Sequence, residues 1–444
     1  MEESNPPTVL QRGKGGSLPL PFRIESHLPK PDFSEARQHL RAPYSPMRII
    51  FTITCLFLIF SPLVNAQKRL SDEVTKYDHG NPSLGIVGFS GDDATRQILE
   101  KVLKRTDWFK VVDVSQASRA QIQLKVSGSP TQLTANVAVA GKSPFTVTGN
   151  GETANETVFQ LVDAILKQIF KVPALCTRPI AYVLSSPSST TKEIFLCNLD
   201  GSGQKRLTHN NKISTEPAWG HSRALVYTHN SGTALNIVLV DILKDRQRVV
   251  SSARGLNSSA ALFRSGRTLA LSLSLGKQVD LYTIDLATGK RNRLTQDRNV
   301  ESSPVFSPDG KEICFVSDKS GRAQLYLIPS EGGEARRITQ GARECVSPDW
   351  SAVSNQLCFS MRTASGQYVI AVLDMKKADA TPIVITEAAG NWEAPSWAPD
   401  GRHIVCTRQS GKNQDLYILD SWHHTFQQLT TGARVSLPAW APAY

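Results

Sequence analysis

The sequence has 444 residues, 40% of them hydrophobic and 20% charged, a balance typical of folded chains that excludes disorder as the default. A formal charge of +11 invites a nucleic-acid reading, but the lysines and arginines lie singly among acidic residues. No dense basic stripe with interleaved aromatics is present, so nucleic acid is not an expected partner. The seven cysteines contain no CxxC, which excludes the common zinc and redox spacings. Cys314, Cys358 and Cys406 each follow an aliphatic residue in a strand-like run, and buried free thiols are expected there.

Residues 1–46 are Pro-rich and lack apolar periodicity, and they read either as a disordered extension or as sequence ahead of a true start at Met47. Residues 47–66 read as a secretory signal peptide. Met47-Arg48 gives a basic start, Ile49 to Phe60 an uncharged apolar run, and Val64-Asn65-Ala66 a small-residue cleavage site. The apolar run is about a dozen residues, short of the ~20 that a spanning helix needs, so no membrane span is expected after cleavage.

Residues 67–175 read as a small α/β domain. Leu84 to Phe89 is a strand, Asp92-Asp93 offer a cap to a helix running to Arg105, and Trp108 to Val114 is strand-like. Gln121 to Val126 alternates as a strand should. A hairpin follows over Leu133–Ala140 and Phe145–Thr148, and Asn155 to Lys171 is a second amphipathic helix. Gly85, Gly88 and Gly91 do not have dinucleotide spacing.

From 176 to 444 the chain repeats. A Pro-x-aromatic step recurs at Pro217-Ala218-Trp219, Pro304-Val305-Phe306, Pro348-Asp349-Trp350, Pro395-Ser396-Trp397 and Pro438-Ala439-Trp440, with a degenerate copy at Ala261-Leu262-Phe263. The spacing is close to 44 residues, the size of a four-stranded propeller blade. Each unit carries a hairpin turn such as Ser307-Pro308-Asp309-Gly310 and closes on a pair such as Leu207-Thr208, Leu294-Thr295 or Ile338-Thr339. Closing pairs count about six blades. The chain enters the repeat without a Pro-Trp strand and leaves with one only, so the last segment is expected to complete the first blade. The expected fold is thus an α/β N-terminal domain followed by an all-β six-bladed β-propeller.

Catalytic chemistry finds little support. Gly220-His221-Ser222-Arg223-Ala224 lacks the second glycine of a nucleophile elbow and sits in a hairpin position. His423-His424 are adjacent, so on a strand they face opposite sides, and an exposed hairpin is expected. No catalytic residue, metal ligand or cofactor is assigned.

With these parts in place, the sequence over about 67–444 resembles the TolB family of the Tol-Pal system. The likeness rests on domain order, the Ser-Pro-Asp-Gly turns, the ending Leu437-Pro438-Ala439-Trp440-Ala441-Pro442 and the stretch Arg105-Thr106-Asp107-Trp108-Phe109. The resemblance implies a non-enzymatic, monomeric periplasmic adaptor that binds the lipoprotein Pal and TolA and supports outer-membrane integrity and cell division. Other outer-membrane proteins are further candidate partners. It places the Pal face on loops leading into the innermost strands, here Leu256, Ser259 and Ser302. It places TolA binding on the mature N-terminal segment, here from Gln67, Lys68, Arg69 and Leu70 onward. The alternatives are a secreted propeller enzyme and a protein that binds a glycan or peptide in its channel.

Overall fold

A computed structural model describes residues 80–443 apart from 188, 189, 277, 378 and 387. The expected signal segment and Gln67, Lys68, Arg69 and Leu70 lie outside the described residues.

The N-terminal part is a five-stranded sheet covered by two helices. Strands β1 (Ser83–Ser90), β2 (Lys110–Val111) and β3 (Ile122–Ser129) run parallel, while β4 (Gln132–Val139) and β5 (Phe145–Asn150) continue antiparallel in the order β2-β1-β3-β4-β5. Helix α1 (Asp93–Arg105) starts where the Asp92 carboxylate accepts from the Thr95 backbone N–H at 2.8 Å. Helix α2 (Ala154–Phe170) starts on Thr153 and buries Val158, Leu161, Val162, Ile165 and Leu166. It ends at Lys171, whose left-handed φ of 60° stops the helix before Pro173 is reached. The strand expected over Trp108–Val114 shrinks to Lys110–Val111, and Val114–Arg119 forms a 3₁₀ turn instead. That turn packs so tightly on β1 that a side chain at Gly85 would lie 2.4 Å from the Ala117 Cα. Glycine at 85 is therefore a packing requirement.

Asp163 fixes the exit to the second part. Buried on α2, it accepts from the backbone N–H groups of Leu175, Cys176 and Thr177 at 2.7–3.0 Å and from the Thr177 hydroxyl at 2.7 Å. A carboxylate saturated in this way pins the linker to the helix.

Beyond it stand six four-stranded antiparallel blades. Their innermost strands are Ile213–His221, Asn257–Leu262, Glu301–Phe306, Glu344–Trp350, Asn391–Trp397 and, for blade 1, Val435–Trp440. The last of these comes from the C-terminus. It pairs antiparallel with Ile180–Ser185, matching Val435 to Leu184 and Trp440 to Ile180, and so completes the first blade as the repeat grammar expects. Backbone bonds from Ser185 N to Arg434 O and from Ala441 N to Pro179 O, both 2.9 Å, extend the clasp at each end.

Apolar clusters lie between neighbouring blades. Val183, Ile194, Leu225 and Tyr227 join blades 1 and 2, and Cys358, Ile370, Trp397, Ile404 and Cys406 join blades 5 and 6. Each fully buried aliphatic contributes roughly 1.5–3 kcal/mol, and no single blade covers both of its faces, so the ring is stabilised as a unit. The described cysteines are buried and free, and burial raises their thiols well above the ordinary range, Cys197 to about 12.

The closing Leu/Ile-Thr pairs have a shared chemistry. Each hydroxyl accepts the backbone N–H of the blade's third strand, as Thr208 does from Ile194, Thr295 from Leu281, Thr339 from Leu325, Thr386 from Ile370 and Thr430 from Leu416, at 2.9–3.0 Å. Thr208, Thr339 and Thr430 also donate to the residue just before that N–H: Glu193, Gln324 and Asp415. The short outer strand is held by side chain where ladder bonds run out. Blade 2 ends on Ser251 instead, which donates to Asn257 Oδ1 of blade 3 at 2.7 Å.

Candidate partner-binding face

The innermost strands touch their neighbours all round the ring and line the axis. Each is interrupted at the same level. Glu216, Ser259, Ser303, Ser347, Ala394 and Leu437, one per blade, have φ between 50° and 54°, and the ladder shifts register there in every blade. In five blades the next residue is the proline of the Pro-x-aromatic step. Proline cannot donate to the ladder, and the bulge beside it removes the need for a donor. The step recognised in sequence is thus the downstream half of a bulge, and its upstream half is a left-handed residue.

The bulge divides the axis into two levels. Past it, towards what is called here the lower face, a cavity of about 360 Å³ is lined by the prolines and aromatics of the repeat, including Pro217, Trp219, Phe306, Trp350 and Trp440. Before it, towards the upper face whose loops lead into the inner strands, a cavity of about 300 Å³ is lined by Ser347, Ser360, Tyr368, Glu393, Thr407 and Ser436. Glu393 is pushed up from the ordinary carboxylate range by burial alone.

Leu256, Ser259 and Ser302 fall on or beside neighbouring inner strands of blades 3 and 4, all half-buried. Leu256 precedes the strand, and its carbonyl accepts from Ser274 N at 3.1 Å. Ser259 is the bulge residue of blade 3, and its hydrogen bonds go back to blade 2. Its N–H and hydroxyl donate to the two Glu216 carboxylate oxygens at 2.8 and 3.1 Å. Thr228 adds a third donor to Glu216 at 2.7 Å. Ser302 sits one residue before the bulge and pairs with Val316.

Beside Ser302 lies Glu301, buried, whose oxygens accept from Ser317 at 3.0 Å and Thr295 at 3.2 Å. Burial, reinforced by the nearby charge of Asp297, pushes its carboxyl up to about 7. Asp297 itself faces Lys319 at 3.4 Å. Sequence reading missed Glu216 and Glu301, because neither belongs to the repeated step. The signal that finds Glu216 is its place immediately before a repeat proline.

The other candidates resolve as structure. Ser222 lies in the hairpin turn between Ile213–His221 and Ala224–Asn230, where the His221 ring accepts from Arg223 N at 3.2 Å. His423 and His424 do occupy a turn, but not an exposed one. His423 is drawn against Asp420, with Nδ1 to Oδ2 at 2.7 Å, because that buried carboxylate needs donors.

Comparison with known proteins bears on this arrangement. A family model described as TolB beta propeller domain matches residues 171–444. The chain belongs to the TolB β-propeller family. Among solved structures, TolB from Acinetobacter baumannii superposes with a TM-score of 0.72 at 21% identity, covering 81% of this chain and 96% of that one. A chain of the nidogen/laminin complex reaches 0.50 at 13% identity, covering 60% of this chain and 99% of that one. Hydrazine synthase from Kuenenia stuttgartiensis also reaches 0.50, at 12% identity, covering 63% of this chain and 48% of that one. No curated protein matches significantly. At these identities the structural likenesses speak for the fold alone, and that fold occurs both in an enzyme and in a binding partner. Among the described residues, no helix is long and apolar enough to cross a membrane.

Proposed function

We propose that the chain is a non-enzymatic adaptor of the cell envelope, exported to the periplasm, that binds Pal through the upper face of the propeller and TolA through the segment beginning at Gln67. The observation that carries this is the family match over the whole ring, together with an upper face whose residues are committed to fixed backbone and side-chain bonds. Glu216 ties blade 2 to blade 3 through Ser259, so two neighbouring blades present their loops as one surface. A preorganised surface loses little ordering entropy on binding.

Ser259 acts here through shape, because both its donors are spent on Glu216. Ser302 is the residue available to meet a partner. The test is affinity for the soluble domain of Pal with Ser302→Trp and Ser259→Arg. Loss of binding with an unchanged melting temperature supports the reading, and unchanged affinity in both variants excludes this face. A channel that binds a small polar ligand is the second reading, favoured by the 300 Å³ cavity around Glu393. Glu393→Gln separates the two, since it changes ligand uptake without altering Pal affinity.

A further inference from the structure

A polar cluster remains that neither the ring closure nor the upper face uses. It lies where the N-terminal domain docks on blade 6. Asp107 comes from the turn after α1, with φ 53°, while His403 and Asp420 face each other across the second and third strands of blade 6. A ring nitrogen of His403 and one carboxylate oxygen from each of Asp107 and Asp420 lie within 4.8 Å of one another.

The orientation of His403 follows from its neighbour. Its Nδ1 is 2.7 Å from Asp400 Oδ2, and Asp400 accepts on every side, from Trp108 Nε1 and from the backbone N–H groups of Arg402 and His403, each at 3.0 Å. A carboxylate so placed occupies the Nδ1 side of the ring and turns Nε2 away from it. That Nε2 is enclosed without a hydrogen-bond partner, on a side chain 3% exposed. A carboxylate that orients an imidazole in this way is the usual support for a metal-bound histidine.

Charge points the same way. Asp107, Asp400 and Asp420 bring three carboxylates against one guanidinium, that of Arg402, which pairs with Asp420 at 2.6 Å between the rings of Trp108 and Trp422. Among the described residues the Asp107 carboxylate meets Asn81 Nδ2 at 3.4 Å and Thr425 Oγ1 at 3.5 Å.

We propose that this junction binds one divalent cation of the zinc class through His403 Nε2, Asp107 and Asp420. Imidazole with carboxylates is a donor set that zinc accepts, with a fourth position left for water. Asp107 belongs to the N-terminal domain and the other two ligands to the propeller, so the ion cross-links the two parts.

The test titrates zinc chloride into the chelator-stripped full chain against a chromogenic competitor. The expected result is one ion per chain, with a melting temperature raised by a few degrees in excess zinc. Asp107→Asn, at a half-buried position, folds normally and lowers zinc affinity at least about tenfold, and Asp400→Asn lowers it by about 10- to 100-fold through the histidine it orients. Absence of stoichiometric zinc in the unaltered chain overturns the proposal, as does an Asp107→Asn variant that binds as tightly as the parent.

Discussion

Trp219 Nε1 donates to the Ala439 carbonyl at 3.0 Å, joining the inner strand of blade 2 to the closing strand across 220 residues of sequence. Trp219 and Ala439 belong to two copies of the same repeat step, so the motif that builds each blade also locks the ring. Trp219→Phe removes that bond and part of the ring volume, and a loss of about 1–3 kcal/mol in urea unfolding is expected. Deleting residues 434–444 removes the whole clasp, and cooperative unfolding should be lost with it.

Arg402 is among the largest fully buried side chains, stacked between Trp108 and Trp422 and paired with Asp420. It joins the N-terminal domain to blade 6, with its Nη2 also donating to Asn81 at 3.0 Å. Arg402→Ala leaves the Asp420 charge buried without its partner, and a destabilisation of about 3–5 kcal/mol is expected from chemical denaturation. A change below about 1 kcal/mol contradicts this reading of the junction.

Glu301 gives a pH signature. Its folded carboxyl sits at about 7 against an ordinary 4.5, so the folded chain holds a proton that the unfolded chain has released. Its contribution to stability is complete below about pH 4.5 and is lost as pH rises through about 7. Glu301→Gln removes that dependence. The variant should gain stability relative to the parent between about pH 5 and about pH 8, as read from urea midpoints at the two values, and parallel curves refute it.

The bulge residues carry backbone strain that glycine relieves. Ala394 has φ 51° in the inner strand of blade 6. A left-handed non-glycine residue costs roughly 1–2 kcal/mol, partly offset by the entropy that glycine loses on folding. Ala394→Gly is therefore expected to be neutral or stabilising by up to about 1 kcal/mol. In an ordinary strand position the same change is destabilising, so a clear loss on thermal melting argues against the bulge.

The ring was legible because its grammar repeats. Pro-x-aromatic steps, Asp-Gly turns and Leu-Thr closures recur with a fixed spacing, and a pattern repeated six times outweighs local ambiguity. The junction and the upper face do not repeat, and that is why they were hidden. Arg402 follows a turn that looks like any other, and only folding brings Trp108 over it from almost 300 residues away. Trp108 to Val114 looked like a strand from its apolar run. Those aromatics instead serve the docking surface, with Trp108 packed on Phe170 and Trp422. Glu301 has no unusual sequence context, and its raised proton affinity comes from burial and the nearby Asp297 charge.

The most direct test of the adaptor reading is amide hydrogen exchange of the mature chain with and without the soluble domain of Pal. Slow exchange at 180–185 and 435–440 is expected in both states, with new protection on Pal addition around 256–259 and 300–303. Fast exchange along the closing strand, or Pal protection confined to the lower face, would contradict it.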